Sequence, residues 1–224
     1  MQPAREPDTR TRLLQAALLL FRQRGYHGVG IRDILVQAQA PKGSLYHHFP
    51  GGKDQMAVEV LEQVAGRIVA MIDRDPSATT AAAMHGVGLR LRKWMLETST
   101  PSSATNAAAK AAEGAGAAGE GGNACALIAS FAAEGDTAAA VAAAARQAYE
   151  RIAAAIAGRL EAEGAPPRQA RDTAFLVIAT LEGGGLVSQT LGEPRLFTAA
   201  IERAAALCQL PAAVSSPAVR KVPP

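Results

Sequence analysis

Sixteen residues, Ala38 to Lys53, read Ala-Gln-Ala-Pro-Lys-Gly-Ser-Leu-Tyr-His-His-Phe-Pro-Gly-Gly-Lys and leave the chain few choices of local structure. Pro41 and Pro50-Gly51-Gly52 punctuate both ends, so at most a very short helix fits between them. Within it Leu45 and Phe49 stand four apart and return to a core, while Lys42, Gly43, Ser44, Tyr46 and His47 face out. A core helix would not carry Lys42, Tyr46, His47, His48 and Lys53 so close together. A surface that lies against phosphates would.

The preceding residues supply the partners of this segment. From Thr9 to Arg24, Leu13, Ala16, Ala17, Leu20 and Phe21 form one stripe at helical spacing. Asp8 or Thr9 caps that helix and Gly25 stops it. A second, short helix fits Ile31 to Ala38 with Ile31, Ile34 and Leu35 inward and Gly30 at the N-cap. A turn at Gln39-Ala40 follows. Pro41 suits the first turn of a third helix, Lys42 to His48. Helix, short helix, tight turn and short helix make a helix-turn-helix, whose second helix enters the DNA major groove.

The segment resembles the N-terminal domain of the TetR family of bacterial transcriptional repressors. The matching residues are Leu13-Leu14-x-Ala16-Ala17-x-x-x-Phe21, Gly25-Tyr26, Arg32-Asp33-Ile34 and Lys42 through Phe49. Pro41-Lys42-Gly43 and Pro50-Gly51-Gly52-Lys53 look most like the LmrA/YxaF-type branch. Two positions depart from the family pattern. Gln39 stands where a glycine with positive φ is usual, and must either tolerate that conformation at a cost of roughly 1 kcal/mol or adopt another. Val29 stands where a phosphate-contacting Thr is frequent, so that hydroxyl is missing. On this reading Lys42 reaches a base edge, since Lys donates to guanine O6 or N7. Gly43 lets the backbone come close, and Ser44 meets a base or a phosphate. Tyr46, His47 and Lys53 hold phosphates, and Arg32 reaches the backbone from the second helix. His48 is either a contact or a packing group.

Charge is divided in the same way. Residues 1–53 hold eight Lys/Arg and three Asp/Glu, a net of +5, while the other residues hold fifteen and seventeen, a net of −2. A basic head on a slightly acidic body is what electrostatic capture of double-stranded DNA requires. Alanine fills 51 positions, aromatics make up 4%, and no alternating β-branched run occurs, so the fold class is all-α. No run of about eighteen strongly apolar residues and no leader pattern is seen, which implies a cytoplasmic protein with no membrane partner. Cys125 and Cys208 lie far apart and make no metal spacing. No P-loop, nucleophile elbow or close Cys-His pair is present either. Neither a metal, a cofactor nor an enzymatic activity is expected.

After the head the pattern is that of a helical body. Lys53 to Arg74 keeps one helical period, with Met56, Val60, Val64 and Ile68 inward. Asp75-Pro76-Ser77 breaks it, and Ser77 is the expected cap of a helix to Glu97. From Thr98 to Gly122 nothing larger than Ala is apolar, as in a mobile loop. A helix resumes around Ala124 to Phe131, and Asp136 caps a long one that ends at Ala162. Another spans Arg168 to Leu191, and its Gly183-Gly184-Gly185 reads either as close helix approach at a dimer seam or as a kink. Pro194 opens a last helix with Phe197, Ile201, Ala204 and Leu207-Cys208 on one stripe. Four prolines among residues 211–224 suggest a disordered tail. The expected organisation is a DNA-binding domain over 1–53, a ligand-binding and dimerisation domain over 54–210 with the loop 98–122, and the tail 211–224.

The resemblance implies that the last two helices pair with their copies in a homodimer. Ile178, Leu181, Gly185, Phe197 and Ile201 are the seam candidates. It also implies a repressor released by a small lipophilic or aromatic effector. Leu91, Trp94, Phe131, Tyr149 and Phe175 are candidates to line its pocket, with His85 and Glu182 as polar partners. Trp94 is either a core residue or a stacking platform. The rival reading is a regulator switched by a protein partner or by oxidation of Cys125.

Overall fold

The computed structural model describes residues 8–97, 127–132 and 139–209, all in helices and the turns between them. The helices are α1 (Thr9–Arg24), α2 (Ile31–Gln37), α3 (Ser44–His48), α4 (Gly52–Asp73) and α5 (Thr80–Glu97). They continue with α6 (Leu127–Ala132), α7 (Ala139–Ala162), α8 (Pro167–Leu191) and α9 (Pro194–Leu207). The expected loop 98–122, the Asp136 cap, Cys125 and the tail 211–224 lie outside the described residues.

Local chemistry accounts for most helix ends. Asp8 caps α1 by accepting the Thr11 amide at 2.7 Å, and Gly25 ends it with φ 69°. At α2 the Gly30 amide donates to the Asp33 carboxylate at 2.8 Å, the half of a capping box that needs no side chain at the N-cap. Two starts differ from expectation. α3 begins at Ser44, not Lys42, because the Pro41 carbonyl takes both the Ser44 amide at 3.0 Å and its hydroxyl at 2.6 Å in a tight turn. α5 begins at Thr80, not Ser77. Thr79 caps it through its hydroxyl to the Ala82 amide, while the Ser77 amide is taken by Asp75 at 3.1 Å.

That Asp75 turn joins α4, α5 and α7. Arg90 donates to Asp75 at 2.6 Å and Arg159 donates to the Ser77 carbonyl at 2.7 Å. Hydrogen bonding from Ser77, then from Arg90, holds the Asp75 carboxyl down at about 2. It therefore stays charged in any ordinary buffer. The Thr80 hydroxyl adds a bond to Glu163 beyond α7 at 2.5 Å.

The body packs α4 on α7, α7 on α8, α8 on α9 and α9 on α5. Alanines on the buried face of α7, among them Ala142, Ala145, Ala148, Ala153 and Ala157, let backbones approach. α8 runs through its three glycines without a break. The close approach there is within the chain. A Cβ on Gly184 would lie 2.2 Å from the Ala200 Cβ of α9, while Gly183 faces open space. A single buried cluster extends from Leu13 in α1 to Cys208 after α9, so head and body share one core. By length and composition α8 could also cross a bilayer, with mean hydropathy 1.3, but it packs between α7 and α9 and carries Glu182 inward.

Gly184→Ala should lower stability by about 1–3 kcal/mol through overpacking. Thermal unfolding tests this, and adding Ala200→Gly should recover most of the loss.

Candidate DNA interface and interior pocket

α1, α2 and α3 form the head, with Leu45 and Phe49 fully buried and anchoring α3 on α1. Gln39 adopts φ 50°, so the turn takes the left-handed conformation without a glycine. Arg32, Lys42, Gly43, Tyr46 and His47 are exposed, and Ser44 is half-buried with its hydroxyl donated to Pro41. A Cβ on Gly43 would meet nothing within 4 Å, so the approach to α3 is open. The Tyr46 ring lies over the α3–α4 turn, 3.8 Å from where a Gly52 Cβ would be, with Ile31 of α2 at 4.0 Å. The start of α2, α3 and the start of α4 thus meet at one place.

Lys53 has another task as well. Its ammonium donates to the carbonyls of Tyr26 and Val29, each at 3.2 Å, and sits 4.0 Å over the Tyr26 ring. Two of its three N–H groups are committed, so the expected phosphate contact has only the third. Tyr26 is the centre of this joint. Its hydroxyl donates to Asp54, and its ring packs against Phe21 at 5.7 Å and Phe131 at 5.8 Å. Phe131 also meets Phe21 edge-on at 5.4 Å. The expectation that Phe131 lines a ligand pocket is therefore corrected. It is fully buried between head and body.

The interior pocket lies in the body. It is a slot of about 70 Å³ between α4, α5, α6, α7, α8 and α9, lined by Val64, Ile68, Leu91, Trp94, Ile128, Tyr149, Ile152, Leu181, Glu182 and Phe197 among others. Of the residues named for a pocket, Leu91, Trp94, Tyr149 and Glu182 line this slot. Phe175 does not. It lies beside the Arg171 guanidinium, 5.3 Å away. His85 is exposed on α5. Tyr149 donates to Glu182 at 2.5 Å, inside otherwise apolar walls. Burial pushes the Glu182 carboxyl up to about 7, with the Tyr149 hydrogen bond opposing. Burial likewise raises the Tyr149 hydroxyl far above its usual value.

Trp94 connects pocket and head. One part of it lines the slot, and the guanidinium of Arg22 on α1 lies 4.5 Å from its ring centre. Arg67 of α4 approaches the same ring at 5.4 Å. Arg22 is only 5% exposed, which is rare for arginine and is explained by this stacking. Sequence reasoning missed Arg22 because a cation beside an apolar stripe looks solvated. Its burial depends on a partner seventy-two positions away.

The seam candidates face inward. Gly185, Phe197 and Ile201 are buried in the protomer's own core, and Ile178 and Leu181 line the slot. α8 has a second apolar face at the same spacing. Leu176, Leu186, Val187 and Leu191 are exposed there, Leu191 at 60%. Periodicity revealed an apolar stripe but could not say which of two faced the chain itself. Cys208 is buried, and burial pushes its thiol up to about 11, which makes it a poor thiolate.

Residues 13–60 match the model of bacterial regulatory proteins of the tetR family, and residues 101–203 that of the transcriptional regulator LmrA/YxaF-like C-terminal domain. The HTH-type transcriptional regulator LmrA of Bacillus subtilis is 31% identical over 82% of this chain and 87% of its own length. The HTH-type transcriptional repressor NemR of Escherichia coli is 43% identical over 26% of this chain and 29% of its own. Among solved structures, a TetR transcriptional regulator from Legionella pneumophila superposes with a TM-score of 0.73 at 18% identity, over 92% of this chain and all of that one. The reduced form of E. coli NemR gives 0.67 at 19% identity, over 92% and 100%.

Lys53→Met keeps the stem but loses two charge-assisted bonds, and should lower stability by about 1–3 kcal/mol. Denaturant unfolding of the DNA-free protein measures it.

Proposed function

The chain belongs to the tetR family of bacterial regulatory proteins, a family of transcription regulators and not enzymes, and from that premise we propose that it is a cytoplasmic repressor that grips a palindromic operator as a homodimer and is released by a small lipophilic ligand. The observation that carries this reading is the open, basic N-terminal end of α3 on a head whose core continues into a body with an apolar slot. Lys42 reads a base edge, Gly43 admits the backbone, and Arg32, Ser44, Tyr46 and His47 position the head on phosphates. The remaining N–H of Lys53 adds to this from the start of α4.

Two heads on one duplex need centres about one helical turn apart, roughly 34–36 Å, which a dimer supplies. The outer face of α8 is the seam we favour, since Leu176, Leu186, Val187 and Leu191 are exposed and, among the described residues, nothing covers them. The size of the slot supports a route for release. At about 70 Å³ the slot is narrower than the few hundred Å³ of a usual small-molecule site, so a ligand must spread the helices around Trp94. Arg22 and α4 carry that movement to the head. A ligand that prefers the spread state then disfavours the spacing that fits both half-sites.

Selecting bound duplexes from a random pool tests the assignment. Two inverted half-sites should emerge, and Lys42→Ala should cost about 1–3 kcal/mol on them and relax preference at one position. Failure to enrich any symmetric site at low salt would remove the reading. Leu186→Glu should turn the dimer into a folded monomer in sedimentation, with operator binding lost.

A further inference from the structure

Glu182 is an odd residue to place in the slot. The walls are aliphatic and aromatic, and the polar side-chain groups on them are the indole of Trp94, the Tyr149 hydroxyl and the Glu182 carboxyl. Tyr149 donates one hydrogen bond to the carboxyl at 2.5 Å. A buried carboxylate is normally held by a basic side chain. Among the described residues the charged groups on the packed helices are engaged or turned elsewhere. On α7, Arg146 and Arg151 are exposed and Glu150 pairs with Arg171 of α8 at 2.9 Å. On α5, Arg92 donates to Thr198 of α9 at 3.2 Å and Lys93 is exposed. On α9, Arg195 pairs with Glu193 at 2.5 Å, and the guanidiniums of Arg67 on α4 and Arg22 on α1 lie against the Trp94 ring, 5.4 and 4.5 Å from its centre. The carboxyl is raised to about 7 by burial, with no charged neighbour contributing.

We propose that the slot selects lipophilic cations: a ligand with an apolar tail and one protonated amine, whose ammonium stands beside the Glu182 carboxylate. The proposal rests on the reading of the slot as the effector site and adds the charge of the effector to it. The tail fills the space between the aliphatic walls, and the ammonium forms with the carboxylate the ion pair that no described basic side chain makes with it. An anionic ligand meets the carboxylate and is rejected. A neutral ligand gains the apolar contacts and at most one weaker hydrogen bond. Because the empty site holds its carboxyl near 7, binding a cation at lower pH must expel a proton, and affinity then falls with falling pH.

Three probes of one chain length test the charge rule: octylamine, 1-octanol and octanoate. Trp94, the chain's single tryptophan, reports binding by fluorescence. At pH 8 octylamine should bind about tenfold tighter than octanol or better, the difference between a charge-assisted and a neutral hydrogen bond, and octanoate weakest. Glu182→Gln should erase the gap between amine and alcohol while keeping alcohol affinity. In the unsubstituted protein, amine affinity should fall about tenfold from pH 8 to pH 6 and alcohol affinity should not change, since the amine stays protonated throughout. This pH series stands even where Glu182→Gln fails to fold. Equal binding of amine and alcohol, with no pH dependence, overturns the charge rule and leaves the slot as the ligand site. No Trp94 response to any of the three removes the slot reading, and the charge rule with it.

Discussion

Phe131 sits on a helix of six residues, yet it closes the joint on which the molecule depends. Its ring meets Phe21 and Tyr26, and Tyr26 is held by Lys53 above its face and by Asp54 at its hydroxyl. A three-helix head of this size buries little on its own. Leaning on a shared aromatic joint, it becomes one end of a core that runs through the chain. The second contact, Arg22 against Trp94, extends the joint to the wall of the slot. Head position and pocket shape are therefore not independent variables.

That constraint gives each part its place. α4 runs from the head joint at Lys53 to the Asp75 turn, where Arg90 and Arg159 fix its far end. On the proposed reading, spreading the slot strains a helix held at both ends. On that reading the narrowness of the slot is useful. A roomy cavity would accept a ligand without moving anything, whereas one lined by Leu91, Trp94, Tyr149 and Leu181 at close quarters cannot.

Much of this was legible in the residues, and the parts that were not share a cause. Local signals worked. Asp8, Gly25 and Gly30 bound their helices as read, and Gln39 took the positive φ that its place in the turn requires. Where two local signals competed, the reading slipped. Pro41 and Ser77 both looked like helix starts, but a Ser44 turn and an Asp75 turn claimed those residues first. Long-range partners left no trace. Phe131 and Phe175 had the right chemistry for a pocket and lie elsewhere, and the bond that Tyr149 of α7 gives to Glu182, named as a polar partner of the pocket, was not visible. The inner and outer stripes of α8 differ in what covers them, and one sequence cannot say that.

The shared core is most directly tested by native-state hydrogen exchange on the unliganded protein. If Phe21, Tyr26 and Phe131 weld head to body, amides in the centre of α1, around Leu13 to Phe21, should open only with those of α4 and α7, at the same free energy. Should α1 exchange freely while α4 and α7 stay protected, the head is a loosely tethered unit, and a pocket cannot govern it through the contacts described.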